Sequence, residues 1–151
     1  MIPTRSYVLL QTQTVTANGT SGIIVLPGDY SSAIIALTTA SVTGTSPTLA
    51  VYIQEAFRVP AATDTADITT GTAAANYTVF DDFLAFASAT GAATQIARVV
   101  GGGNVVAANS DAALSAGTVR NGPLGQAWRV KWVVGGTSPS FSVSVYAKFI
   151  F

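Results

Sequence analysis

Hydrophobic positions in this chain recur every two residues. From Trp128 to Val134, the side chains of Trp128, Val130, Trp132 and Val134 fall on one face, and Arg129 and Lys131 on the other. Successive side chains of a strand point to opposite faces, so this alternation predicts a half-buried antiparallel strand. Gly135-Gly136-Thr137-Ser138-Pro139 follows and reads as a turn, with glycines for unusual φ and a proline that ends pairing. Beyond it, Phe141, Val143, Val145, Phe149 and Phe151 share one phase, while Ser142, Ser144, Tyr146 and Lys148 take the other. The chain therefore ends in a second long strand.

The same unit stands earlier. Ala33 to Val42 is rich in β-formers, Gly44-Thr45-Ser46-Pro47 reads as the turn, and Leu49, Val51 and Ile53 alternate with Ala50, Tyr52 and Gln54. Set over one another, GTSPTLAVYI from Gly44 and GTSPSFSVSV from Gly136 are identical at five of ten positions. Two copies are too few for a solenoid. They predict two equivalent hairpins, one in each half of a sandwich, unless the likeness is convergence of turn and strand composition.

Further strands are predicted over Tyr7–Thr16, Ile23–Leu26, Phe80–Ser88 and Thr94–Val100, the last two pairing across Thr90–Ala93. Phe80, Phe83, Leu84 and Ala87 also suit a helical turn, but the β-rich surroundings favour strand. Residues 61–76 and 101–118 lack a clear period and read as long loops. The count is about eight strands and no long helix. That predicts an all-β fold, an antiparallel β-sandwich of jelly-roll type, in one domain over residues 1–151. Residues 1–6, with Pro3, are a candidate extended N-terminal arm.

Composition sharpens the picture. The chain has 151 residues, 49% hydrophobic, yet only 9% are charged. Ala, Thr, Ser and Gly together supply 72 residues, and seven cations balance seven acids. A surface so poor in ions protects weakly against association. Either partners cover much of it, or a Thr/Ser coat keeps it polar without charge. No apolar signal-peptide core follows the start, and Tyr30–Gln54 is broken by Gly44 and Pro47 where a spanning helix needs about 20 mainly apolar residues. The expectation is a protein made in a cytoplasm, with no membrane partner. Charge balance gives no basic footprint for nucleic acid.

Catalytic chemistry finds little to use. Without His or Cys there is no Ser-His-Asp triad, no thiol nucleophile and no zinc site of the usual kind. No cofactor is expected. Gly101-Gly102-Gly103 lacks phosphate-loop spacing. Asp81 and Asp82 are neighbours and point to opposite faces of a strand, which is unsuitable for paired-carboxylate hydrolysis. Asp64 and Asp67 read as solvated loop acids, and Glu55 beside Arg58 as a surface pair. Asn18 and Asn76 head glycosylation-like triplets that, without a secretion signal, read as chance. Trp128 and Trp132 belong to the core phase. Tyr52, Tyr146 and Ile150 fall in the outward phase and, with Ile2 and Pro3, are the candidate interface residues, unless the first three face a second sheet.

Thr43–Gln54 (TGTSPTLAVYIQ) and Pro123–Tyr146 (PLGQAWRVKWVVGGTSPSFSVSVY) resemble segments of small virion proteins of tailed bacteriophages. The likeness covers the second strand pair and the C-terminal third well, and the two long loops poorly. One departure is Ala50, where the pattern often has an acid. The resemblance carries no catalytic residues. It implies a capsid decoration, or cement, protein on the outer head surface. Such a protein binds the major capsid protein as a homotrimer or a dimer. The competing expectation is a tail or fibre module that recognises host carbohydrate through its loops.

Overall fold

The computed structural model describes residues 4–26, 30–58, 77–100, 114–119 and 125–151. Among them are eight strands and no helix: β1 (Thr4–Val15), β2 (Gly19–Thr20), β3 (Ile24–Val25), β4 (Ser32–Arg58), β5 (Tyr77–Ala85), β6 (Ala93–Val100), β7 (Thr118–Val119) and β8 (Ala127–Ile150). All pairings are antiparallel, in one connected sheet. Its main path is β1-β8-β4-β5-β7, with β2 and β3 added to β8, and β6 to β4.

The spine is the pair β4 and β8, which run against each other from Ser32↔Ile150 to Glu55↔Trp128. The spine does not run straight. Trp128 and Phe149 lie in the same strand, and an extended chain would separate them by about 70 Å. Their ring centroids are 5.1 Å apart. Tyr30 meets both rings edge-on, at 5.8 Å and 4.8 Å. The sheet is therefore folded across its middle into two arms. The first arm holds β1, the C-terminal half of β8, the N-terminal half of β4, and β6. The second holds β2, β3, the N-terminal half of β8, the C-terminal half of β4, β5 and β7.

One apolar cluster fills the fold. The first arm contributes Ile35, Leu37, Val143, Val145 and Phe149, the second Val51, Ile53, Phe83, Trp128 and Val130. Of these, alternation assigns Val51, Ile53, Trp128, Val130, Val143, Val145 and Phe149 to the core. Trp128, Val130 and Phe141 have no exposed surface.

The crossing point explains the repeated motif. Both GTSP segments sit at mid-strand, where the ladder slips between Thr43 and Thr45 and again between Thr45 and Thr48. Thr45 pairs with Thr137, so the two copies face each other. Gly44 and Gly136 have φ of 113° and 105°, and Ser46 and Ser138 have φ of 48° and 50°. Most L-residues avoid such angles, so the motif supplies glycine where φ is largest. The match extends outward. Leu49, Val51 and Ile53 of β4 and Phe141, Val143 and Val145 of β8 are all buried. β5 flanks the C-terminal half of β4 as β1 flanks that of β8. β6 flanks the N-terminal half of β4 as β2 and β3 flank that of β8. The described strands thus form two equivalent sets that meet at the GTSP pair, β4 with β5 and β6, and β8 with β1, β2 and β3, the second set drawn from both ends of the sequence.

Several expectations change. GTSP is not a hairpin turn, because each copy lies inside a continuous strand and pairs with the other copy. β5 and β6 do not pair with each other. Each adds to a different half of β4, and Leu49↔Ala89 bridges the connection between them. Thr4–Ser6 is not an arm, because these residues pair with Lys148–Ile150 in β1. Thr118, expected in a loop, pairs with Ala85. The antiparallel all-β expectation of about eight strands is met. The hydrogen-bond path is one folded sheet and does not divide into the two separate sheets of a jelly roll. Residues 61–76, Gly101–Gly103 and the Pro27–Asp29 turn lie outside the described residues.

Candidate functional site

The outer face of the first arm is the candidate site. Its side chains are fixed by the register across β1, β8, β4 and β6. One row reads Val8, Tyr146, Ala36, Ile96. The next reads Ser6, Lys148, Ile34, Arg98, and the one beyond it Thr4, Ile150, Ser32, Val100. On the other side of the apolar row lie Ser144, Thr38 and Thr94. An apolar stripe thus crosses the whole arm, bordered by two cations and by hydroxyls.

The stripe is uncovered. Ile96 is 64% exposed, Val100 55%, Tyr146 43% and Val8 39%. Between β1, β8 and β4 it dips into an open groove of about 240 Å³ lined by Ser6, Val8, Ile34, Ala36, Tyr146 and Lys148. Large apolar side chains gathered in one place on a surface mark contact sites far more often than the same residues scattered singly.

Two of the sequence candidates meet here: Tyr146 lines the groove, and Ile150, half-buried, stands in the third row. Tyr52 is elsewhere, on the second arm, half-buried with the Lys131 ammonium 5.0 Å from its ring centroid. Ile2 and Pro3 lie outside the described residues. Alternation within each strand does not by itself single out Val8, Ile34 or Ile96. The signal was present in β6, where Arg98 shares the phase of Ile96 and Val100. A cation in that phase marks it as outward, and the buried phase is Ala97 and Val99.

Charge is divided unevenly between the arms. Among the described residues the first arm carries Arg5, Arg98 and Lys148 and no acidic side chain. Arg5 lies over the Phe151 ring. The second arm holds the three described acids. Asp82 is buried, and its Oδ1 accepts a hydrogen bond from Gln54 Nε2 at 2.6 Å, with Lys131 Nζ at 3.9 Å. Gln54 Oε1 in turn accepts from Arg129 Nε at 2.7 Å. The other oxygen of Asp82 has no partner. Asp81 stands opposite Glu55, so the two adjacent aspartates do part company.

Glu55 is not a simple surface acid. It packs against Gly125, whose N–H it accepts, and whose carbonyl accepts from Tyr30 Oη and from Trp128 Nε1. Burial pushes its carboxyl up to about 7; the Gly125 N–H opposes that rise and Asp81 adds to it. Burial, helped by Glu55, raises the Tyr30 hydroxyl well above the usual range, so it stays a donor. The Arg58 side chain, expected beside Glu55, lies outside the described residues. Asn18 has a structural role: its Oδ1 accepts from Val134 N.

Among the described residues no three of Asp, Glu, His or Cys are placed to hold a metal ion. No helix among them is long and apolar enough to cross a membrane. What the described surface offers is an uncovered apolar stripe on four paired strands. Comparison with known proteins gives no matching family model, no matching curated protein and no matching solved structure.

Proposed function

We propose that this protein is a virion structural protein of a tailed phage, most specifically a head decoration protein. It binds the assembled shell as a homotrimer and bridges neighbouring capsid subunits without covalent chemistry. The observation that carries this reading is the uncovered stripe Val8–Tyr146–Ala36–Ile96, held on four paired strands. A rigid apolar face with a polar border suits repeated docking on equivalent surfaces. The likeness of both GTSP segments to phage virion proteins supplies the shell as the object. The low charge of the chain fits a surface that ends up partly covered.

The test is co-sedimentation of the purified chain with heads of the phage that encodes it. The wild type is expected to pellet with the heads at a fixed stoichiometry. Tyr146→Asp is expected to stay in the supernatant while keeping its melting temperature. A wild-type chain that never associates with heads removes the decoration reading.

A further inference from the structure

We propose that the outer face of the first arm docks an acidic protein surface, one that presents apolar side chains flanked by carboxylates. The inference rests on the assembly reading above and names the chemistry of the partner.

The argument is charge complementarity. Arg98 and Lys148 stand in one row beside the apolar stripe, separated by Ile34. No carboxylate lies on β1, β6 or the halves of β4 and β8 that complete this arm. Neither cation forms an ion pair among the described residues. A partner that covers the stripe also desolvates these two charges, and an unpaired buried cation is costly. The occupant must therefore bring carboxylates to that row.

A second copy of this face cannot do so. Two copies face to face would gather four cations and no acid. The described carboxylates of the second arm are not free to serve either. Asp82 is buried with Gln54, Glu55 is packed on Gly125, and Asp81 lies opposite Glu55. No described acid of a second copy is placed to serve this row, so the occupant proposed is a different, acidic chain. In the assembly reading, the shell subunit presents it.

Two synthetic peptides, one of glutamate and leucine alone and one of lysine and leucine alone, serve as probes. The acidic peptide is expected to shift the backbone amide resonances of Val8, Ala36, Ile96 and Tyr146. The basic peptide should bind about tenfold more weakly, and raising salt should erase the difference. Arg98→Glu with Lys148→Glu should invert the preference. Equal binding of both peptides, binding of neither, or self-association through these residues overturns the inference. The same double variant, tested for co-sedimentation, separates the two claims. Heads that bind it as well as wild type, while Tyr146→Asp fails, sink the charge argument alone. Peptide selectivity without any head binding sinks the decoration reading alone.

Discussion

Gly136 lies against the carbonyl of Ser46: a Cβ built on the glycine would stand 2.6 Å from that oxygen and 3.0 Å from Pro47 Cα. The mirror contact holds for Gly44, whose Cβ would stand 2.8 Å from the Ser138 carbonyl and 2.9 Å from Pro139 Cα. Each glycine lets the other copy's backbone approach, at the one place where both long strands cross the fold.

Gly136→Ala should therefore destabilise strongly. It adds a methyl into backbone, which cannot swing aside, and it forces an L-residue to a φ of 105°. Strain of this type costs about 1–3 kcal/mol, and the clash adds to it. Gly91→Ala, with nothing within 4 Å of its Cβ, is the control and should leave stability nearly unchanged. Urea denaturation of the two variants checks the difference.

This crossing also shows where sequence reading stops. The alternation around Trp128 and Phe141 separates core from surface phases, with Ser144 of the outward phase buried as the exception, because burial on one face imposes a period of two. The GTSP segments read as turns in the sequence because glycine, positive φ and proline serve a tight turn and a mid-strand crossing equally. Only the long-range register, Thr45 against Thr137, tells them apart. The pairing of β5 with β6 failed for a related reason: nearness in sequence favours a hairpin, but both strands find better partners along β4. Of the site, Tyr146 and Ile150 were legible from their phase. Ile96 is legible as outward from the phase it shares with Arg98, but its place beside Val8 and Tyr146 is not, because assembling one row from four strands needs the register of all four.

β6 offers a direct check of its phase. Ile96 is mostly exposed, whereas Val99 is fully buried. Ile96→Thr should change stability by less than about 0.5 kcal/mol. Val99→Ala removes the same number of carbons but should cost about 2 kcal/mol through lost burial and the cavity left behind. Thermal melts of the two variants decide it, and a reversed order would mean that β6 presents its other face inward.

The buried chain Asp82–Gln54–Arg129 should behave as a unit. Gln54→Leu removes the amide that donates to Asp82 and accepts from Arg129. It leaves the Asp82 carboxylate buried, with the Lys131 ammonium 3.9 Å away. The expected loss is about 3 kcal/mol, as for breaking a buried polar pair from one side. Adding Asp82→Leu should restore part of that loss, since the stranded charge is gone. Denaturation of both single variants and the double variant measures the coupling. Simple additivity would show that the three side chains act independently.

Stability should fall as pH rises from about 4.3 to about 7, and Glu55 is the cause. Burial pushes its folded-state pKa up to about 7, with Asp81 adding to the rise and the Gly125 N–H opposing it. The unfolded chain titrates near the ordinary glutamate value of about 4.3. Below that value both states hold the proton and the full contribution is present. Between there and about pH 7 the folded state retains a proton the unfolded state has lost, so stability declines with pH. Above about 7 both states are ionised and the decline ends. Glu55→Gln cannot ionise, and its amide keeps an oxygen to accept the Gly125 N–H. Its melting temperature, measured from pH 4 to about pH 9, should lack the wild-type decline and exceed the wild type at the alkaline end. The indole N–H resonance of Trp128, which shares the Gly125 peptide, should titrate with Glu55 in the wild type and stay fixed in the variant. A wild-type melting temperature that rises between pH 5 and about pH 8 would contradict the sign and place Glu55 in water rather than against Gly125.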